Sequence, residues 1–232
     1  MSRPAPARLL ARLRALRARE DGMAATEFAL MLPLLLLMYV GTVGVTSAVS
    51  ASRATVVLAR TLTDLVSQQA ANVALTDSTT SNIFNASTAV MAPFSIASLK
   101  MTLSNVEFVA NPAAVTSGGL DAKTRWSVSL SNGPLRPCRV LTPVANGSTP
   151  SATTMPQGIY AAGFVIVADV SYTYTPSFGY FTWTFANDGT TTSPLSFTMA
   201  RTTYMRPRQT DNVRYTSGQS ATICPIAAPQ AS

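Results

Sequence analysis

From residue 28 to residue 52 the chain carries no charged side chain. As a helix rising about 1.5 Å per residue, that run is roughly 37 Å long, enough to cross a hydrocarbon core of about 30 Å. Pro33 lies inside it, which is tolerable in lipid because neighbouring groups re-satisfy the carbonyl it frees. Beyond the run, ASRATVVLARTLTDLVSQQAA (51–71) keeps apolar residues at helical spacing, at Val56, Val57, Leu58, Leu62, Leu65 and Val66. The spacing predicts that the apolar helix continues outward as a rod. A polar linker, LTDSTTSN, follows. Residues 83–91 then read as a short amphipathic helix, capped by Asp77 or Ser78 and stopped by Pro93.

From about residue 99 the texture changes. LKMTLSNVEFVA, TRWSVSLS, GFVIVADVSYTY, GYFTWTFA and PLSFTMARTTYM are rich in β-branched and aromatic residues, which suit strands. Phe164, Ile166, Ala168, Val170, Tyr172 and Tyr174 alternate with Val165, Val167, Asp169, Ser171, Thr173 and Thr175. That is period two, with one face drier than the other. Turns are expected at Ser117-Gly118-Gly119, Asn132-Gly133-Pro134, Asn146-Gly147 and Asn187-Asp188-Gly189. No strand is followed by a long helix, so an antiparallel sheet is favoured over βαβ units. The expected class is α+β: a long N-terminal transmembrane helix, a short helix and an antiparallel β-sheet domain.

Charge orients the helix. Six of the seventeen basic residues, Arg3, Arg8, Arg12, Arg14, Arg17 and Arg19, fall in the first nineteen positions, while only Arg53 and Arg60 follow soon after the apolar run. The asymmetry predicts a cytoplasmic N-terminus and an exported C-terminal part, with the basic amphipathic LLARLRALRARE against an anionic membrane face. Beyond residue 22 eleven basic residues face eight acidic ones. The high isoelectric point therefore describes the leader, and nucleic acid is not an expected partner. A competing reading is a secretory signal peptide cut after Val49-Ser50-Ala51, whose small residues suit such a site. It would leave a secreted module.

The chemistry the chain lacks narrows its function. It has no histidine, so no Ser-His-Asp or Cys-His arrangement is open to it. Its two lysines, Lys100 and Lys123, have no distinguishing neighbours, and its acidic residues are isolated. No metal site, cofactor or phosphate loop is expected, nor an enzyme. Cys138 and Cys224, both beyond the span, suggest one disulfide in an oxidising compartment, with two buried thiols as the alternative. Tyr172, Tyr174, Phe178, Tyr180, Phe181, Trp183 and Phe185 form an aromatic zone, read more readily as a hairpin core than as a grip for protein or glycan. Arg206 and Arg208 close the last strand as candidate partner contacts.

The most informative motif is Gly22-Met23-Ala24-Ala25-Thr26-Glu27-Phe28: a basic leader ending in glycine, then a lone glutamate and an aromatic where the apolar run begins. It resembles the processing site of type IV prepilins and pseudopilins. With LARTLTDLVSQQ, VADVSYTYTPSFG and MARTTYMRPR, GMAATEFALMLPLLLL resembles the TadE/TadG-like group of tight-adherence (Flp-type) pilus assembly proteins. The resemblance touches the N-terminal third and two islands of the C-terminal half. It implies a pilin-like minor pseudopilin of the inner membrane with a periplasmic domain, whose partners are a prepilin peptidase and other pilus-assembly subunits or pilins. It also implies cleavage after Gly22, with Met23 as the new N-terminus and Glu27 fifth in the mature chain, there to answer a neighbour's amino group. Longer members carry a metal-binding adhesion domain; no D-x-S-x-S stands here, so a TadE-like role is expected. The parts are a basic leader (1–22), the helix and its extension (23–75) and an extracytoplasmic α+β domain (76–232).

Overall fold

The computed structural model describes residues 21–176, 196–216 and 221–224. They fall into two compact units, one up to Ser47 and one from Ala48 onward. A single 47-residue helix, α1 (Asp21–Ser67), supplies the first unit and opens the second. Along it Thr42, Thr46, Thr55 and Thr63 turn their hydroxyls back to carbonyls four residues earlier, at 2.8–3.0 Å, so these side chains are satisfied within the helix. The helix was expected to run on through residue 71. It stops at Ser67, and Asn72 takes a left-handed conformation (φ 65°) in the turn beyond.

Helix α2 (Asp77–Thr88) starts six residues before the expected 83, and its cap is Thr76 rather than Asp77 or Ser78. Thr76 is extended, and its hydroxyl accepts from the Thr79 amide at 3.2 Å. That bond and Asp77 in the first turn make a polar TTSN stretch helical. Thr80, Phe84 and Ser87 are its buried face. A 3₁₀ turn, Ala89–Met91, ends the helical stretch before Pro93.

Seven strands form one sheet: β1 (Leu99–Ala110), β2 (Leu120–Leu130), β3 (Val140–Val144), β4 (Thr154–Pro156), β5 (Gly163–Tyr174), β6 (Phe197–Met205) and β7 (Ala221–Ile223). The order is β4-β3-β2-β1-β5-β6, with β7 also on β2. The sheet is not wholly antiparallel, because β3 and β4 pair in parallel. Neither was foreseen as a strand. They are five and three residues long and contain Pro143 and Pro156, which donate nothing to a ladder and so belong at a sheet's margin. The segment GYFTWTFA and the Asn187-Asp188-Gly189 turn lie outside the described residues.

Both faces of the sheet carry apolar cores. On one face Leu99, Met101, Leu103, Trp126, Val128, Ile166, Ala168, Val170 and Tyr172 pack with Leu58, Leu62 and Val66 of α1 and Phe84 of α2. On the other, Val106, Phe108, Ala122, Leu141, Met155, Val165 and Val167 form a second cluster. The face of β5 expected to be wetter is therefore covered at its first half, because β3 and β4 fold over it.

Candidate functional site

The residues of the resemblance lie at the start of α1. Met23 is exposed, as are Glu27 and Phe28 one turn on, and Thr26 returns its hydroxyl to the Met23 carbonyl at 2.8 Å. Gly22 is helical. Between Asp21 and Arg53, Glu27 is the one charged residue. Among the described residues it meets no basic side chain. The most apolar stretch of this helix is entirely unburied, Leu30 being 78% exposed and Phe28 60%. The helix is long and apolar enough to cross a membrane. In water, so many large apolar side chains on every face would be a heavy cost; in lipid they are matched.

Cys138 and Cys224 are joined in a disulfide, with Cα atoms 5.2 Å apart. It ties the β2–β3 connection to the end of β7, whose partner strand is β2. The bond fits a domain outside the cytoplasm. Arg206 and Arg208 are exposed but both have internal bonds. Arg206 donates weakly to the carbonyls of Ala161 and Ala162, at 3.4 Å each. Arg208 pairs with Asp64 of α1 at 3.1 Å, and its amide donates to the Ser67 carbonyl at 2.9 Å. Tyr172 and Tyr174 of the aromatic zone face the core on the helix side of the sheet; the rest of that zone is outside the described residues.

Sequence reasoning missed a polar centre on the opposite face. Arg136, fully buried, donates through Nε and Nη2 to the two carboxylate oxygens of Asp169 at 3.0 and 2.9 Å, and through Nη1 to the Thr154 carbonyl at 3.1 Å. Its amide donates to Ser127 Oγ, which shares a hydrogen bond with Ser104 Oγ. Thr202 donates to Asp169 at 2.6 Å. Burial pushes the Asp169 carboxyl up, against the lowering pull of the Arg136 charge and of the hydrogen bonds from Thr202 and Arg136. A buried pair of this kind adds little net stability but penalises any other seating of its loop. Gly133 explains how that loop comes so close: a Cβ there would lie 2.5 Å from Thr102 Oγ1 and 2.9 Å from the Met101 carbonyl oxygen. The only forewarning was Asp169 inside an otherwise apolar strand.

The arrangement clamps a loop. It offers no nucleophile beside a base. Among the described residues there is no cluster of three His, Cys, Asp or Glu that could hold a metal. A cleft of about 280 Å³ lies beside Arg125, Trp126, Asn212, Tyr215 and Cys224. Its polar groups are largely spent: Arg125 pairs with Glu107, and the Trp126 indole donates to the Val213 carbonyl at 2.8 Å. No protein-family model, curated protein or solved structure matches the chain.

Proposed function

We propose that the chain is a minor pseudopilin-like subunit for assembly or secretion of a tight-adherence (Flp, type IVb) pilus. It is anchored in the inner membrane by α1, with the leader in the cytoplasm and the β domain in the periplasm. The observation that carries this reading is the unburied apolar half of α1, headed by one carboxylate five residues after Gly22. A plain anchor needs no such group. A carboxylate costs about 2.5–3.5 kcal/mol at mid-depth and less at the boundary, where Glu27 stands, and an answering cation removes that cost. A neighbour's free amino group at Met23, made by cleavage after Gly22, would answer it, so that processing and lateral association are coupled.

The signal-peptide alternative is less well supported. Ala51, at its cut, is buried in the domain core and its carbonyl accepts from Thr55, so the helix runs unbroken through that site. The test is the mature N-terminus, read by mass spectrometry of protein from cells that hold a prepilin peptidase. A chain beginning at Met23, and retention of the leader in Gly22→Leu, are the expected results. A chain beginning at Ser52, or a Gly22→Leu protein of the same mass as the mature parent, overturns the reading.

A further inference from the structure

The two ends of the disulfide are held to different degrees. Cys138 lies in the loop 131–139, which has two other tethers. Arg136 makes three hydrogen bonds to Asp169 and the Thr154 carbonyl, and Gly133 lies too close to Met101 and Thr102 for any Cβ. Cys224 follows β7, whose three residues pair with Trp126, Ser127 and Val128 of β2. The Cys224 amide adds one bond, to the Arg125 carbonyl at 2.9 Å. Thr222 is half-buried and Ile223 is 40% exposed, so β7 puts little apolar surface into the core. A three-residue strand with so little burial belongs at the low end of local stability. Among the described residues the disulfide is therefore its main hold.

The surroundings of the bond add a second observation. Cys138 is an exposed residue, and Cys224, although only 6% exposed, lines the cleft of about 280 Å³. Two free cations stand near the sulfurs. Arg139 follows Cys138 in the chain, and Arg214 lines the cleft with Cys224. Both are exposed, and neither has an acidic partner among the described residues. A cation beside a disulfide draws in an attacking thiolate and favours the thiolate that leaves.

We propose that the Cys138–Cys224 bond is a modification site for a dithiol reductant, and that its reduction releases β7 from β2 while the loop 131–139 keeps its seat. Release uncovers the backbone edge of β2 from Trp126 to Val128, beyond its pairing with β3 at Ala122 and Lys123. The change lies wholly within the second unit, so it does not depend on how α1 is anchored.

The step is an ordinary thiol–disulfide exchange. One thiolate of the dithiol attacks Cys138 Sγ, the more exposed end. The S–S bond breaks, and its electron pair leaves on Cys224 Sγ as a thiolate, which takes a proton from water. The second thiolate of the dithiol then attacks the reductant's own sulfur in the mixed disulfide and expels Cys138 as a thiolate. The dithiol is oxidised to a disulfide, and its two electrons end on the two cysteines.

The test treats the full chain, in detergent micelles, with dithiothreitol and no denaturant. Free thiols are counted by alkylation and intact mass. Both cysteines should become alkylated at a rate within about tenfold of that in denaturant, since an open bond is reached without unfolding. Hydrogen exchange is then read over about ten seconds of labelling, too brief for global unfolding to register. Residues 221–224 should exchange at least about tenfold faster in the reduced protein, while peptides of 131–139 and of β1 take up no more than in the oxidised one. Cys138→Ser/Cys224→Ser should show the same pattern with no reductant present. Reduction only in denaturant, or unchanged exchange at 221–224 once the bond is reduced, overturns the proposal. So does faster exchange throughout the domain, which would make the bond a general staple.

Discussion

The two halves of α1 are made of similar residues and meet opposite fates. Up to Ser47 its leucines and methionines are exposed on every side, whereas from Ala51 onward Ala51, Leu58, Ala59, Leu62 and Val66 are fully buried. Past Glu27 the first half carries no charge, whereas the second half bears Arg53, Arg60 and Asp64, which give it an outer face. A helix with a polar stripe can sit on a sheet in water; one without a stripe must be surrounded by apolar matter. The same secondary structure thus leaves one half unburied and packs the other into a core, and the change falls near Arg53.

The largest test of that contrast is the disulfide, which staples only the second unit. A loop of 86 residues is closed by it, worth about 4–5 kcal/mol in the chain-entropy model. Cys138→Ala/Cys224→Ala should lower the domain's unfolding free energy by about that amount in denaturant titration, and leave extraction of the chain from membranes unchanged. A loss of membrane retention would mean that the two halves depend on each other.

Next in size is a matched pair of leucines. Leu62→Ala removes a fully buried side chain from the core and should cost about 2–5 kcal/mol. Leu35→Ala, on a residue 55% exposed, should cost the domain nothing measurable. Similar losses for both would show that the first half also packs in a protein core, and the contrast would fail.

The smallest effect is a pH dependence. Burial pushes the hydroxyls of Tyr160 and Tyr204 up to about 12, and Tyr215 likewise, where a hydrogen bond to Asp77 adds to the effect. Their folded values lie above the ordinary value of 10.0. The stability they contribute is therefore fully present below pH 10 and is lost as pH rises toward 12. Thermal midpoints should be flat up to about pH 10 and fall beyond it, together with phenolate absorbance. A flat profile through pH 12 would show these hydroxyls to be open to water.

The apolar run and the bounds of β1 and β5 were legible from the sequence alone because each is a local pattern. A charge-free stretch must find lipid or a core wherever it lies, and a period of two exposes alternate faces whatever the neighbours are. The helical form of TTSN was harder to see, since it turns on one hydroxyl bond at Thr76. Folding decided the rest. Arg136 meets Asp169 across 33 residues, Tyr215 meets Asp77 across 138, and β3 pairs in parallel with β4 only because the chain between them turns back. Nor could the pattern say that Arg201 comes to lie beside Ser52, 149 residues earlier. Local periodicity is written in neighbouring residues, whereas a buried charge pair exists only when distant segments are brought together, and its energy depends on how completely water is removed from between them.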